Sequence, residues 1–172
     1  MADGTNIVID NYAEVPKAAT PDLFEPIPDH LDHGVVDDLN LTGHLAVGVG
    51  GTCLGWATAI EKYGNLELYD VVAPAVRLAT KGFPVSPYLK QSIINAEHGL
   101  RRFTDSQKVF LPGDHVPEVG HRIIRSDYAN TLERIGSEGP GYLYGGPLGK
   151  AIADDMRAHG GLITEEEISD YK

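Results

Sequence analysis

The single cysteine of the chain, Cys53, lies in the pattern Gly51-x-Cys53-x-Gly55 inside "GHLAVGVGGTCLGWATAIEKYG", residues 43–64. A nucleophile flanked by small residues at a joint between strand and helix is the arrangement of a nucleophile elbow, where a strained turn lifts a reactive side chain into a pocket. That chemistry also needs several parallel strands feeding the turn and a general base arriving on later strand ends. Such strands are absent from the pattern of the chain. Gly51, Cys53 and Gly55 therefore read as small residues that let a helix approach a sheet closely, with the thiol acting as a small hydrophobe. A reactive thiol would need a lowered pKa and an open pocket, and the surroundings of Cys53 in the sequence are apolar. A dinucleotide fingerprint fails too, because Gly48-x-Gly50 is followed by Cys53 where the third glycine belongs.

Imidazole and carboxylate donors gather in "DHLDHG", which holds Asp29, His30, Asp32 and His33. These are metal-ligating types, yet they sit in a proline-rich stretch without a further well-placed ligand set, so a solvated loop is the expectation. His115 and His121 are separated by loop sequence that fixes no geometry. All seven histidines are read as structural or exposed, and no metal or cofactor is expected. Glu165, Glu166 and Glu167 form a carboxylate cluster of the kind acid-base catalysis uses. They follow Thr164, however, and a capping box with acidic side chains at the positive end of a helix accounts for them.

The elements that must position these residues can be read from periodicity and turn chemistry. Residues 5–11, "TNIVIDN", read as a short strand, with Ile7, Val8 and Ile9 β-branched. Residues 15–42 contain Pro16, Pro21, Pro26 and Pro28 and read as an irregular crossing segment. Residues 44–50, "HLAVGVG", give a second strand. From there on the period is helical: residues 51–64 end at Gly64, and residues 66–82 end at Gly82, with Pro74 either in the first turn of a helix starting at Asp70 or at a kink. Residues 86–103 open with Ser86 as N-cap and Pro87 at the first helical position. Residues 126–139, with Ser126 or Asp127 as cap, residues 146–161 and residues 164–171 complete the helical region. The expected fold class is mainly α with two N-terminal β-strands. As organisation, the chain is expected to be a single partial domain over 1–172, with strands and crossing segment in 1–50 and helices in 51–172, because two lone strands do not make a stable sheet.

Composition narrows the function classes. Hydrophobic residues make up 42 % and charged residues 23 % of the 172, as in an ordinary globular chain. A net charge of -11, from 14 Lys and Arg against 25 Asp and Glu, repels polyanions, so nucleic acid is not an expected partner. Apolar runs are much shorter than the roughly 20 residues of a membrane span, and "MADGTNIVID" lacks a signal-peptide design. A soluble chain without an export address is expected, and one cysteine leaves the compartment open.

With these pieces in order, the chain resembles the large subunit of γ-glutamyltranspeptidases (glutathione hydrolases). The likeness is carried by the glycine-rich turn before Leu54, by "APAVRLATKGFPVS", "TLERIGSEGP" and "AHGGLITEEEISDY", and it runs over residues 5–172. The resemblance implies the helical part of an N-terminal-nucleophile hydrolase, an αββα sandwich when complete, made when a precursor cleaves itself into two subunits. It implies a partner, the small subunit, whose N-terminal threonine is nucleophile and, through its α-amine, general base. It also implies a γ-glutamyl amide as small-molecule substrate, with water or an amino acid resolving the acyl-enzyme. The catalytic residues fall outside this chain, which is expected to be inactive alone. Members of the family are often periplasmic or secreted.

The resemblance points to one substrate contact here. In "VIDNYAEVPKAATPDLF", alignment on Pro16, Ala19, Thr20, Asp22 and Phe24 places Tyr12 where the family's arginine holds the α-carboxylate of the glutamyl group. Tyrosine carries no charge and donates one hydrogen bond, whereas arginine grips a carboxylate with two. Tyr12 opens two alternatives for the parent protein: a different amide, as in acylase-like relatives, or a carboxylate contact drawn from elsewhere. A non-catalytic helical module that binds a partner stands as the reading from another class.

Overall fold

The computed structural model describes residues 4–28 and 34–172, so Asp29, His30, Asp32 and His33 lie outside the described residues. Seven helices follow one another among the described residues: α1 Thr52–Tyr63, α2 Leu68–Lys81, α3 Pro87–Arg101, α4 Thr104–Phe110, α5 Ser126–Glu138, α6 Pro147–Ala158 and α7 Glu165–Asp170. Two short strands, β1 Phe83–Pro84 and β2 Arg122–Ile123, pair antiparallel with Phe83 opposite Ile123. The mainly helical class holds.

The strands stand elsewhere than the sequence suggested. Residues 5–11 carry no strand, and His44–Ala46 forms a 3-10 turn. Pairing here is confined to one antiparallel bridge beyond these segments, in which the Glu14 amide donates to the Val49 carbonyl at 3.0 Å and the Val49 amide to the Glu14 carbonyl at 2.8 Å. β-branched residues favour a pleated, half-buried surface rather than an extended backbone as such. Val8, 90 % exposed, has no such surface to lie on. Helix α4 went unanticipated because it is seven residues long, too short for a period to show, and its N-cap Phe103 gives no capping hydrogen bond.

The chain divides into two compact units. The first comprises the described residues up to 68 together with 138–172. Its core is Val49, Ala153, Met156, Ile163, Ile168 and Tyr171, with Leu54, Leu143, Tyr144 and Ile152 packed against it. Helix α6 starts at Pro147, where the missing amide costs nothing, and stops before Gly160, whose φ of +76° suits only glycine well. Helix α7 opens with the capping box expected from the sequence. The Thr164 side chain accepts from the Glu167 amide at 3.2 Å, and the Thr164 amide donates to Glu167 Oε2 at 2.9 Å.

The second unit, residues 69–137, packs Val85, Ile93, Leu111 and Ile123 into a core under the β1–β2 ladder and helices α3 and α4. Ser86 caps α3 as its sequence predicts, accepting from the Leu89 amide at 3.1 Å. Pro74 is neither in a first turn nor at the start: α2 begins at Leu68, so Pro74 is interior and leaves the Asp70 carbonyl without its amide donor. Likewise α5 begins at Ser126 itself, one position earlier than a Ser126 cap requires.

Candidate functional site

The segment around Tyr12 is fixed at three points, all within the first unit. The Glu14–Val49 bridge holds it on one side. The Tyr171 hydroxyl donates to the Tyr12 carbonyl oxygen at 2.6 Å, and the Lys17 amide donates to Glu167 Oε1 at 2.6 Å. The Tyr12 amide in turn donates to Asp10 Oδ1 at 3.3 Å. Backbone restraint thus comes from α7 and the residue after it, while the Tyr12 side chain stays 84 % exposed. Next to it lies a cleft of about 290 Å3 whose walls are mostly apolar, including Tyr12, Val15, Leu23, Phe24, Leu45 and Leu162.

The acid-base character of this region follows from its partners. Burial raises the Tyr171 phenol above its ordinary value, with the Glu14 and Asp10 carboxylates adding to the rise, so the hydroxyl stays a donor to Tyr12. Burial also pushes the Glu167 carboxyl upward. The Lys17 amide and the Thr164 hydroxyl and amide outweigh that push and leave it below the ordinary glutamate range. Asp10 and Glu14 flank Tyr12 in the chain, with Lys17 the nearest cationic residue type in sequence.

The Gly51-x-Cys53-x-Gly55 pattern turns out to be a packing device. A Cβ on Gly51 would overlap the Tyr171 hydroxyl, and one on Gly55 would overlap the Asn11 side chain. The glycines therefore admit the C-terminal tyrosine and the N-terminal segment against α1. Tyr144 completes the joint: its hydroxyl accepts from the Leu54 amide at 3.3 Å and donates to the Gly50 carbonyl at 2.7 Å, which supplies the first turn of α1 with a partner its Gly51 N-cap lacks. Tyr144 and Tyr171 stack with centroids 5.9 Å apart. Cys53 is half-buried in this joint, and burial raises its thiol pKa, the opposite of what a nucleophile needs.

Glu165 and Glu166 are exposed on the first turn of α7 and Glu167 is the N3 partner of the Thr164 cap, so the acidic run is structural. One set of donors was missed. His44, from the 3-10 turn, meets Asp155 and His159 at the end of α6, and neither His115 nor His121 belongs to that group. The Asp155–His159 spacing of four was visible in the sequence, whereas nothing local announces that His44 comes back across 111 residues.

Solved structures share this architecture. Helicobacter pylori gamma-glutamyltranspeptidase superposes with a TM-score of 0.90 at 30 % identity, covering 100 % of this chain and 48 % of that one. Cephalosporin acylase from Bacillus halodurans gives a TM-score of 0.77 at 27 % identity over 94 % of this chain and 30 % of that one. The fold is thus the one found in part of N-terminal-nucleophile hydrolases of the transpeptidase and acylase kind. The gamma-glutamyltranspeptidase family model matches residues 1–172, and the chain belongs to that family. Among curated relatives, the "Acylase ACY 1 proenzyme" of Pseudomonas sp. (strain V22) is 41 % identical over 100 % of this chain and 31 % of its own length. The "Glutathione hydrolase proenzyme" of Escherichia coli (strain K12) is 34 % identical over 99 % of this chain and 29 % of its own length. The chain therefore spans about a third of the curated relatives it matches.

Proposed function

We propose that this chain forms part of the large subunit of a γ-glutamyltranspeptidase-like amide hydrolase, paired with a small subunit whose N-terminal threonine attacks the substrate amide. The chain shapes one wall of the substrate cleft and supplies neither nucleophile nor general base. In the complete enzyme, γ-glutamyl amides such as glutathione would be cleaved and the glutamyl group passed to water or an amino acid. The observation that carries the reading is the Tyr12 segment. Its backbone is pinned by Tyr171 and Val49, and its side chain is presented at the edge of a cleft. The continuous match of both units to one solved chain supports treating them as parts of a single domain.

A second reading is favoured by the chemistry of that same position. Tyr12 brings no positive charge, Asp10 and Glu14 flank it, and the cleft walls are mostly apolar. A glutamyl α-carboxylate would lose its two-pronged cation there and meet two like charges, whereas an uncharged acyl chain would gain apolar contact. The 41 % and 39 % identity to the two Pseudomonas acylases, against 34 % for the Escherichia coli glutathione hydrolase, points the same way.

The test is hydrolysis by the 172-residue chain mixed with the remaining large-subunit and small-subunit segments from the same locus, compared with each part alone. Two substrates are used: γ-glutamyl-p-nitroanilide and a straight-chain acyl p-nitroanilide lacking both the α-amino and α-carboxylate groups. Activity only in the mixture supports the two-subunit reading, and the preferred anilide decides the acyl group. Activity of the chain alone would refute the assignment of the nucleophile to a partner.

A further inference from the structure

We propose that His44, Asp155 and His159 form a binding site for a divalent transition metal of the zinc type. One donor atom from each residue lies within 4.8 Å of the other two. His44 Nε2 is 3.1 Å from Asp155 Oδ2, and His159 Nδ1 is 3.1 Å from Asp155 Oδ1, so one carboxylate is bracketed by two imidazoles. Two nitrogens and a carboxylate oxygen are the donor set that zinc accepts, with bonds of about 2.0–2.2 Å and a remaining position for water. Ligand atoms held tetrahedrally by such bonds sit about 3.4 Å apart, so a separation of up to 4.8 Å must close by about 1.4 Å. Asp155 and His159 are more than half exposed, so their side chains have room to turn once their present hydrogen bonds are exchanged for the ion.

The fold holds the site together for reasons unrelated to catalysis. Asp155 and His159 are four residues apart and so share one face at the end of α6. Gly160 turns the chain away, and Gly161 leaves space that a Cβ would take from His44, whose own Cβ would stand 3.1 Å from it. His44 can therefore lie flat on His159, with ring centroids 4.7 Å apart and planes 16° from parallel. The location suits a cation further. The C-terminal end of a helix carries partial negative charge, and His159 Nδ1, 2.9 Å from the Asp155 carbonyl oxygen, gives up that contact when it ligates. All three residues belong to the first unit, so the site does not depend on the catalytic reading. A bound ion would tie the 3-10 turn before Val49 to α6.

The experiment is titration of the metal-stripped chain with zinc chloride, followed by calorimetry and thermal unfolding, with magnesium chloride as the oxygen-preferring control. One zinc per chain is expected, with a rise in Tm of about 3–8 °C at saturation and none with magnesium. Asp155→Asn and His159→Ala replace exposed side chains and should each weaken zinc binding at least tenfold. His30→Ala/His33→Ala should leave it unchanged. Absence of a one-to-one zinc event, or equal affinity in Asp155→Asn and His159→Ala, would overturn the site and leave the three residues as a hydrogen-bonded cluster.

Discussion

Tyr171 donates its hydroxyl to the Tyr12 carbonyl oxygen at 2.6 Å, across 159 residues of sequence. The bond ties the candidate substrate segment to the end of the chain, and the same hydroxyl occupies the space that Gly51 leaves by lacking a side chain. Tyr171→Phe keeps the ring in the core and removes the hydrogen bond. A loss of about 0.5–1.5 kcal/mol is expected in urea denaturation, the ordinary range for one hydrogen bond. Gly51→Ala should cost more, about 1–3 kcal/mol, because Tyr171 itself must move.

Glu167 makes stability sensitive to acid. Its carboxylate accepts from the Lys17 amide at 2.6 Å, the Thr164 amide at 2.9 Å and the Thr164 hydroxyl at 2.7 Å. Although burial works against it, these bonds hold the folded pKa below the unfolded one. The folded state thus binds this proton less readily than the unfolded state, so the contribution is complete above about pH 4.3, the ordinary glutamate value, and fades as pH falls through the lower folded value. Glu167→Gln should lower stability at pH 7 by about 1–3 kcal/mol and flatten the decline below pH 5, read by denaturant midpoints across the pH range.

Local signals proved legible wherever one short stretch both asks and answers the question. Ser86 with Pro87, and Thr164 with Glu167, carry donor, acceptor and spacing within four residues, and the structure forms both caps. The family was legible too, because several glycine-bearing stretches recur in order. What failed were inferences needing a partner far away. Ile7, Val8 and Ile9 look like strand residues, yet whether they form one depends on neighbours that local sequence does not specify. Gly51 and Gly55 read correctly as packing residues, but what they pack against, Tyr171 and Asn11, lies far off in the chain and could not be read locally. His44 was dismissed for the same reason.

Gly149 sets two helix preferences against each other. In the interior of a helix, alanine is better than glycine by about 1 kcal/mol. Here a Cβ would overlap the Leu143 carbonyl oxygen and stand 3.1 Å from Ile168 Cγ2, so the turn before α6 or α7 would have to shift. Overpacking of about 1–3 kcal/mol exceeds the helix gain, and Gly149→Ala should therefore lower Tm. A rise in Tm would mean that the Pro140–Tyr142 turn yields easily.

Cys53 should behave as a packing residue. With its thiol pKa raised by burial, the thiolate fraction at pH 8 is smaller than that of a free thiol, and the half-buried position of Cys53 limits access. Reaction with a disulfide reagent should be several-fold slower than for glutathione and become fast only in denaturant. Cys53→Ser should leave amide hydrolysis by the two-subunit mixture unchanged.

Tyr12→Arg tests what the cleft selects. The pinned backbone at Tyr12 and Glu14 gives a new side chain the same starting point, so the substitution changes the head group more than the scaffold. A guanidinium can grip a glutamyl α-carboxylate with two charge-assisted bonds, worth about 1.5–3 kcal/mol, which corresponds to roughly a 10- to 150-fold gain. The ratio of kcat/KM for γ-glutamyl-p-nitroanilide over the straight-chain acyl anilide should rise by that order in the two-subunit mixture. Asp10 and Glu14 compete for the same guanidinium, so Tyr12→Arg with Asp10→Asn should raise the ratio further. An unchanged ratio in both variants would remove Tyr12 from the substrate contacts.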